Sequence, residues 1–243
     1  MVKVWFQARD DYNSDMRIED LNWMNVEDYL KQDDRLILVI GACEQHGYLS
    51  LLSDAKIPLA LADAASQQTG VLVAPPLNFG ASPYFVSYPG TFSLRLSTLM
   101  DAVEDIIRSA YGQGFRRILV LNGHGGNNGV KMRLGELANQ LRDLKIQWYA
   151  WWMSRSVEEV ALRHAIKPSH ANWLEAFPFT IVGDLPEGEK VPPAVPSEVM
   201  DAQMARKVYG DGTFGGPYYA SPEIMQELFD ACLADILQML KFE

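Results

Sequence analysis

Four short apolar runs, at residues 36–40, 71–74, 118–121 and 146–150, recur along this chain with longer amphipathic stretches between them. Each is short for a buried helix and lacks the polar alternation of a half-exposed strand, a pattern that belongs to central strands of a parallel sheet covered on both faces. The stretches 57–68, 96–112 and 130–144 are predicted helices. In the second, Leu96, Leu99, Val103, Ile106, Ile107 and Ala110 keep the i, i+3, i+4 spacing of one apolar face. The resulting β-α-β-α-β-α-β order predicts an α/β fold, a three-layer sandwich with a mostly parallel central sheet. Gly114 stands where a C-cap glycine ends the second helix, and Ser221-Pro222 opens a closing helix with a cap residue and a first-turn proline. Between them Pro186, Pro192, Pro193, Pro196 and the glycines of 210–216 break up the tail, which is expected to pack on the sheet. At 243 residues the whole chain, 1–243, reads as a single domain.

No apolar run reaches the roughly 18 to 20 residues of a membrane helix. Residues 1–11 show no cationic segment leading into an apolar core, so no signal peptide is read there and a cytoplasmic location is expected. Cys43 and Cys232 are the only cysteines, too few for a disulfide framework and in keeping with a reducing compartment. Thirty-one acidic against 21 basic side chains give a formal charge of −10, which repels a phosphate backbone. Neither nucleic acid nor a membrane is an expected partner; a small-molecule substrate is.

Chemistry gathers after the strands. In an open parallel sheet the ligand crevice lies beyond the carboxyl ends of the strands. Glu44 and His46 follow the first strand, with Asp54 a little beyond, and Asn122-Gly-His124-Gly-Gly-Asn-Asn128 follows the third. Two imidazoles and two carboxylates form a nitrogen and oxygen donor set suited to zinc, manganese or iron(II). Glu44 and His46, two apart in extended chain, should point the same way and Cys43 the other. Each residue also has a plainer role open to it: Asp54 as a helix cap, each histidine as a hydrogen-bonded core or loop residue. The glycines around His124 do not follow G-x-G-x-x-G, and no acidic residue ends the next strand, which disfavours a dinucleotide site. They let the backbone approach a metal or substrate closely, with Asn127 or Asn128 expected to cap the next helix.

Glu44-Gln-His-Gly47 with Asp54, then Tyr88-Pro-Gly-Thr-Phe-Ser-Leu94, then Gly114-Phe-Arg-Arg117 leading to Asn122-Gly-His-Gly-Gly-Asn127, resemble the creatininase family of metal-dependent amidohydrolases, over roughly residues 35–180. The resemblance implies a creatininase-like α/β fold, a two-metal site, hydrolysis of a cyclic amide, formamide or related C–N bond, and commonly a homo-oligomer, a hexamer. It assigns metal binding to Glu44, His46, Asp54 and His124, with Asp54 bridging. His170-Ala-Asn-Trp-Leu-Glu175 resembles the family's His-Ala-Gly-x-x-Glu block. Two departures stand out. Residues 48–53 replace a His-Leu-Pro segment and bring Asp54 one position early, and Gly126 stands where creatinine-hydrolysing members carry a glutamate. Creatinine itself is therefore not carried over as substrate.

Two divalent ions, zinc first with manganese or iron(II) as alternatives, would make hydroxide available from a bridging water and polarise a carbonyl. Protonating the leaving nitrogen falls to His170, whereas His164, beside Arg163 in a predicted helix over 157–165, reads as a solvated face. Gly126 leaves the second ion with His46 and shared Asp54 only, and Glu175 is the expected third ligand, the alternative being a carboxylate that orients His170 or faces solvent. Trp151, Trp152 and Trp173 are candidates to stack on a flat substrate or to fill core or interface. Other functional classes remain open at this stage: a degenerate, metal-stapled binding or assembly protein, or a metal-dependent lyase or isomerase.

Overall fold

The computed structural model describes residues 16–243, so the opening segment read above for a leader lies outside the described residues. Four strands, β1 (Arg35–Ile40), β2 (Leu72–Val73), β3 (Arg117–Asn122) and β4 (Lys145–Ala150), form one parallel sheet in the order β2-β1-β3-β4. The helical crossovers are α2 (Ser53–Thr69), α3 (Leu96–Gln113) and α4 (Val130–Gln140). Because side chains alternate along a strand, Leu36, Leu38, Ile40, Ile118 and Val120 enter one layer while Ile37, Val39, Leu119 and Leu121 enter the other. The first layer is closed by α3 and α4 through Leu99, Val103, Ile107, Val130 and Leu134, with α1 (Trp23–Leu30) packed at its margin. The second is closed by α2, α5 (Arg155–Arg163) and α7 (Pro222–Met239) through Ile57, Leu61, Val157, Val160, Leu228 and Ile236. Each of these buried aliphatic side chains contributes roughly 1.5–3 kcal/mol, which is why β1 from Leu36 to Ile40 and β3 from Ile118 to Leu121 carry no polar residue on either face. The three-layer α/β sandwich is thus present.

The closing helix starts as expected, with Ser221 accepting from the Ile224 N–H and proline in the first turn, and Gly114 ends α3 in the left-handed region at φ 119°. Two predicted boundaries move. Helix α2 begins at Ser53, four residues before the expected start, so Pro58 sits in its second turn and offers no N–H to the carbonyl of Asp54. Helix α4 stops at Gln140 because Leu141 leaves helical geometry and a turn from Leu141 to Leu144 leads into β4. Helix α1, opened by an Asn22–Asn25 capping box, and α6 (Ala202–Tyr209), opened by Asp201, are not among the predicted helices; each spans only eight residues, about two turns. A two-stranded antiparallel ribbon, β5 (Glu189–Lys190) with β6 (Gly216–Pro217), completes the tail. A small cluster of Phe85, Tyr88, Ala205 and Tyr209 ties α6 to the loop that precedes α3. Among the described residues no helix is long and apolar enough to cross a membrane.

Candidate metal centre

Strands β1 and β3 are neighbours, with Ile40 opposite Asn122, so the segments that follow them leave the sheet side by side at its carboxyl edge. The first carries Glu44 and His46 inward, while Cys43 turns away and donates its thiol to the Gly90 carbonyl. Backbone pairing of Cys43 with Phe92 and a bond from the Gln45 N–H to Thr91 Oγ1 set the 88–94 block against this segment. Residues 48–52 then turn tightly, anchored where the Ser50 N–H donates to the Thr180 carbonyl, and deliver Asp54 as the second residue of α2. The earlier arrival of Asp54 is absorbed in that turn. Asp54 does not cap the helix; it is buried and faces both histidines.

Asp54 Oδ1 lies 2.9 Å from His46 Nε2 and its Oδ2 2.9 Å from His124 Nδ1, the second contact without the angles of a hydrogen bond. Glu44 Oε2 is 3.4 Å from His124 Nε2, and Glu175 Oε2 is 3.9 Å from His46 Nε2. Among the described residues three trios of donor atoms lie within 4.8 Å, Glu44–Asp54–His124, His46–Asp54–Glu175 and Glu44–His46–His170, and the first two share Asp54. Both histidines are oriented from behind. His46 Nδ1 lies 3.0 Å from the Glu44 carbonyl and His124 Nε2 3.0 Å from the Ala81 carbonyl, which fixes a donor N–H on each and turns the other nitrogen toward Asp54. Glu175, on the turn after His170, accepts the Ala171 N–H at 2.6 Å and is buried, which excludes the solvent-facing alternative. Gly126 is where a side chain cannot be: a Cβ would fall 1.8 Å from the Ala81 carbonyl oxygen and 2.6 Å from His124 Nε2.

Burial raises the carboxyl of Glu44 above its usual range, and nearby His124 opposes it. Burial also pushes Glu175 up to about 7, against the pull of His46. Asp54 moves the other way: burial is outweighed by His46 and His124 on either side, and it stays ionised well below the usual range. Burial alone would lower both histidines, yet Asp54 with Glu44 holds His124 up to about 9 and Asp54 with Glu175 raises His46. His170 is the exception: burial and the adjacent His46 depress it well below its ordinary value.

Two oxygens in this cluster, Glu44 Oε2 and Asp54 Oδ2, are buried without a hydrogen-bond partner. Buried carboxylate oxygens left unmatched among imidazoles are the donor arrangement a divalent cation satisfies, so the residues present fit such an ion. Glu44, Asp54, His124 and Glu175 floor a cavity of about 850 Å³ walled by Tyr84, Phe85, Trp152, Leu174 and Phe214, with Arg95 the one arginine or lysine lining it among the described residues. Of the three tryptophans proposed for stacking only Trp152 reaches it; Trp151 and Trp173 are core residues at 1% and 0% exposure, drawn inward by the apolar layer around α5 and α7. Asn127 does not cap α4, because its side chain instead ties the Gly41 carbonyl to the Ala81 N–H, and no side chain caps that helix. His164 is exposed and pairs with Glu227 at 2.7 Å. Sequence reasoning missed Gln45 and Ser82: Gln45 by strand alternation should face away, and Ser82, 3.2 Å from His124 Nε2, sits in no recognisable pattern.

A profile of the family described as creatininase, creatinine amidohydrolase, matches residues 19–240. Creatinine amidohydrolase of Pseudomonas putida is 28% identical across 93% of this chain and 96% of its own length. Mycofactocin precursor peptide peptidase of Mycolicibacterium smegmatis is 36% identical over 99 residues, covering 38% of this chain and 40% of the peptidase. Among solved structures, a mutant creatininase of the zinc–zinc type superposes with a TM-score of 0.79 at 25% identity, covering 93% of this chain and 97% of the other.

Proposed function

This chain belongs to the creatininase family, whose matched members are hydrolases, and on that premise we propose that it hydrolyses a C–N bond of a cyclic amide, formamide or related small molecule with two divalent ions. The observation that carries this reading is the pair of buried oxygens that lack a hydrogen bond, Glu44 Oε2 and Asp54 Oδ2, within two donor trios that share Asp54. Glu44, Asp54 and His124 would hold one ion, and His46, Asp54 and Glu175 the other. Ions bound there would supply Lewis acidity toward a carbonyl group and toward water, zinc being the first candidate and manganese or iron(II) the alternatives.

The chain's own residues supply the rest. Asp54, ionised between two histidines, is the shared carboxylate. His170 rests neutral, so it can take a proton before returning one to the leaving nitrogen, the order that hydrolysis requires. Phe85 lies parallel to the His170 ring at 5.2 Å and Phe214 stands 4.7 Å from it, which keeps water off one side of the imidazole. Trp152 offers a flat face to a planar amide. The cavity is larger than one small ring requires, so short linear amides belong in the substrate range. A stapled binding module is disfavoured because four of the five donor residues, Glu44, Asp54, His124 and Glu175, line one apolar-walled cavity. In the cell we place the protein in the cytoplasm as a homo-oligomer, a hexamer by likeness to its family, of a single domain. The edge-to-face pair Phe79–Phe92, both rings more than half exposed, is the kind of surface an interface covers.

The test is a panel of lactams, formamides, cyclic ureides and short peptides offered to zinc-, manganese- or iron(II)-loaded and chelator-stripped protein, with elemental analysis alongside. Turnover confined to loaded protein carrying close to two ions per chain is expected. Fewer than half an ion per chain, or silence across the panel, overturns the proposal.

A further inference from the structure

The three histidines of the site are held with opposite polarity. His46 Nδ1 and His124 Nε2 face backbone carbonyls, which accept and never donate, so each carries its proton there. His170 is the reverse. Its Nε2 lies 2.9 Å from Gln45 Nε2. The Gln45 amide has one permitted orientation, because its Oε1 accepts the Gly47 N–H at 3.1 Å while its Nε2 donates to the Gly212 carbonyl at 3.0 Å. Turned over, it would set N–H against N–H at Gly47 and oxygen against oxygen at Gly212, in a side chain only 5% exposed. An amide nitrogen therefore faces His170, and between those two groups only the ring nitrogen can accept.

We propose that Gln45 is a positioning residue that holds resting His170 as the Nδ1–H tautomer with its Nε2 lone pair on the amide, which withholds that nitrogen from the ions. The inference rests on the two-ion reading above and refines it. Glu44, His46 and His170 form a third group of donor atoms close enough together for an ion, with His170 Nε2 3.8 Å from Glu44 Oε1. The amide N–H on that nitrogen takes His170 out of the group, leaving the two trios that share Asp54. The surroundings are built for this contact. At Gly212, φ is 98° and an added Cβ would lie 1.7 Å from Gln45 Oε1, so glycine alone lets the amide close on the 210–216 loop. Phe85, Phe214 and His46, with ring centroids at 5.2, 4.7 and 4.6 Å, leave the His170 ring little freedom to turn away.

The chain has four histidines, so a protein labelled with ¹⁵N-histidine shows few ring nitrogens, and those of His170 are assigned by their loss in His170→Phe. In both chelated and zinc-loaded wild type, His170 is expected to show a protonated Nδ1 and an unprotonated, zinc-free Nε2. Gln45→Met keeps the bulk without a donor, and Gln45→Glu keeps the shape with acceptors only. Both should move the proton toward Nε2 and lower kcat about ten- to a hundredfold, with KM and the two ions per chain retained. A wild-type His170 protonated at Nε2, zinc ligation at that nitrogen, or variants with an unchanged tautomer would overturn the proposal. Should the variants fold poorly, the wild-type tautomer decides alone. Failure of the two-ion reading shows separately, as low metal content without turnover, because the tautomer is also read in chelated protein.

Discussion

Replacing Glu175 by Gln should make the ion-free protein more stable and the loaded protein poorer by one ion. Glutamine keeps the shape and can still accept the Ala171 N–H that Glu175 Oε2 accepts at 2.6 Å, but it removes a buried negative charge. Folding raises the Glu175 carboxyl from 4.5 to about 7, so the native state binds this proton more tightly than the unfolded chain does. Stability from this group is therefore present below pH 4.5 and lost as pH rises through 7. The cost at alkaline pH is the shift of about 2.5 units times 1.36, on the order of 3 kcal/mol, and by pH 5 it has fallen to under about 1 kcal/mol. That shift is already net of the attraction between Glu175 and His46, which opposes burial. For a chain of this length the cost corresponds to a rise in Tm of up to roughly 6–12 °C. Calorimetry of chelator-stripped wild type and Glu175→Gln at pH 5 and pH 8 measures it. Elemental analysis of the loaded forms should give about two ions per chain for wild type and about one for the variant, two protein ligands being too few for the second site. A stripped variant no more stable than wild type at pH 8 would refute the burial argument. A variant that keeps both ions and loses only rate would remove Glu175 from the ligands.

Ion uptake should also release protons, because His124, held up to about 9, and His46, raised with it, must be neutral to bind; zinc affinity should climb with pH toward about 9, and a flat profile would refute the charge assignment. His170→Ala should slow turnover by about a hundredfold to ten-thousandfold with ion content and Tm near wild type; ions lost along with rate would make His170 a ligand. In Gly126→Ala the new methyl meets the Ala81 carbonyl and His124 Nε2, so both Tm and ion content should fall, and a variant indistinguishable from wild type in both would contradict the packing described.

Much of this protein is written locally. The β-branched runs alternate with amphipathic stretches because strands buried on both faces must be apolar throughout and crossover helices on one face only, so strand positions and the sheet class could be read from residue order alone. Glu44, His46 and His124 were legible for a related reason: a polar residue directly after a buried strand lies where the crevice must open. Helices α1 and α6 were not legible, since eight residues, about two turns, are too few to set an apolar period apart from a loop. What the tertiary structure alone decided is how groups distant in sequence meet. Trp151 and Trp152 are consecutive, yet one turns into the α5–α7 layer and the other lines the cavity. The start of α2, at Ser53 rather than Ile57, aims Asp54 at both histidines. Gln45, flanked by two expected ligands, reaches His170 only because the glycine loop at 212 folds over it. Local periodicity fixes which face a side chain takes within its own element; the direction of a loop residue depends on partners that only the folded sheet edge brings within hydrogen-bonding distance.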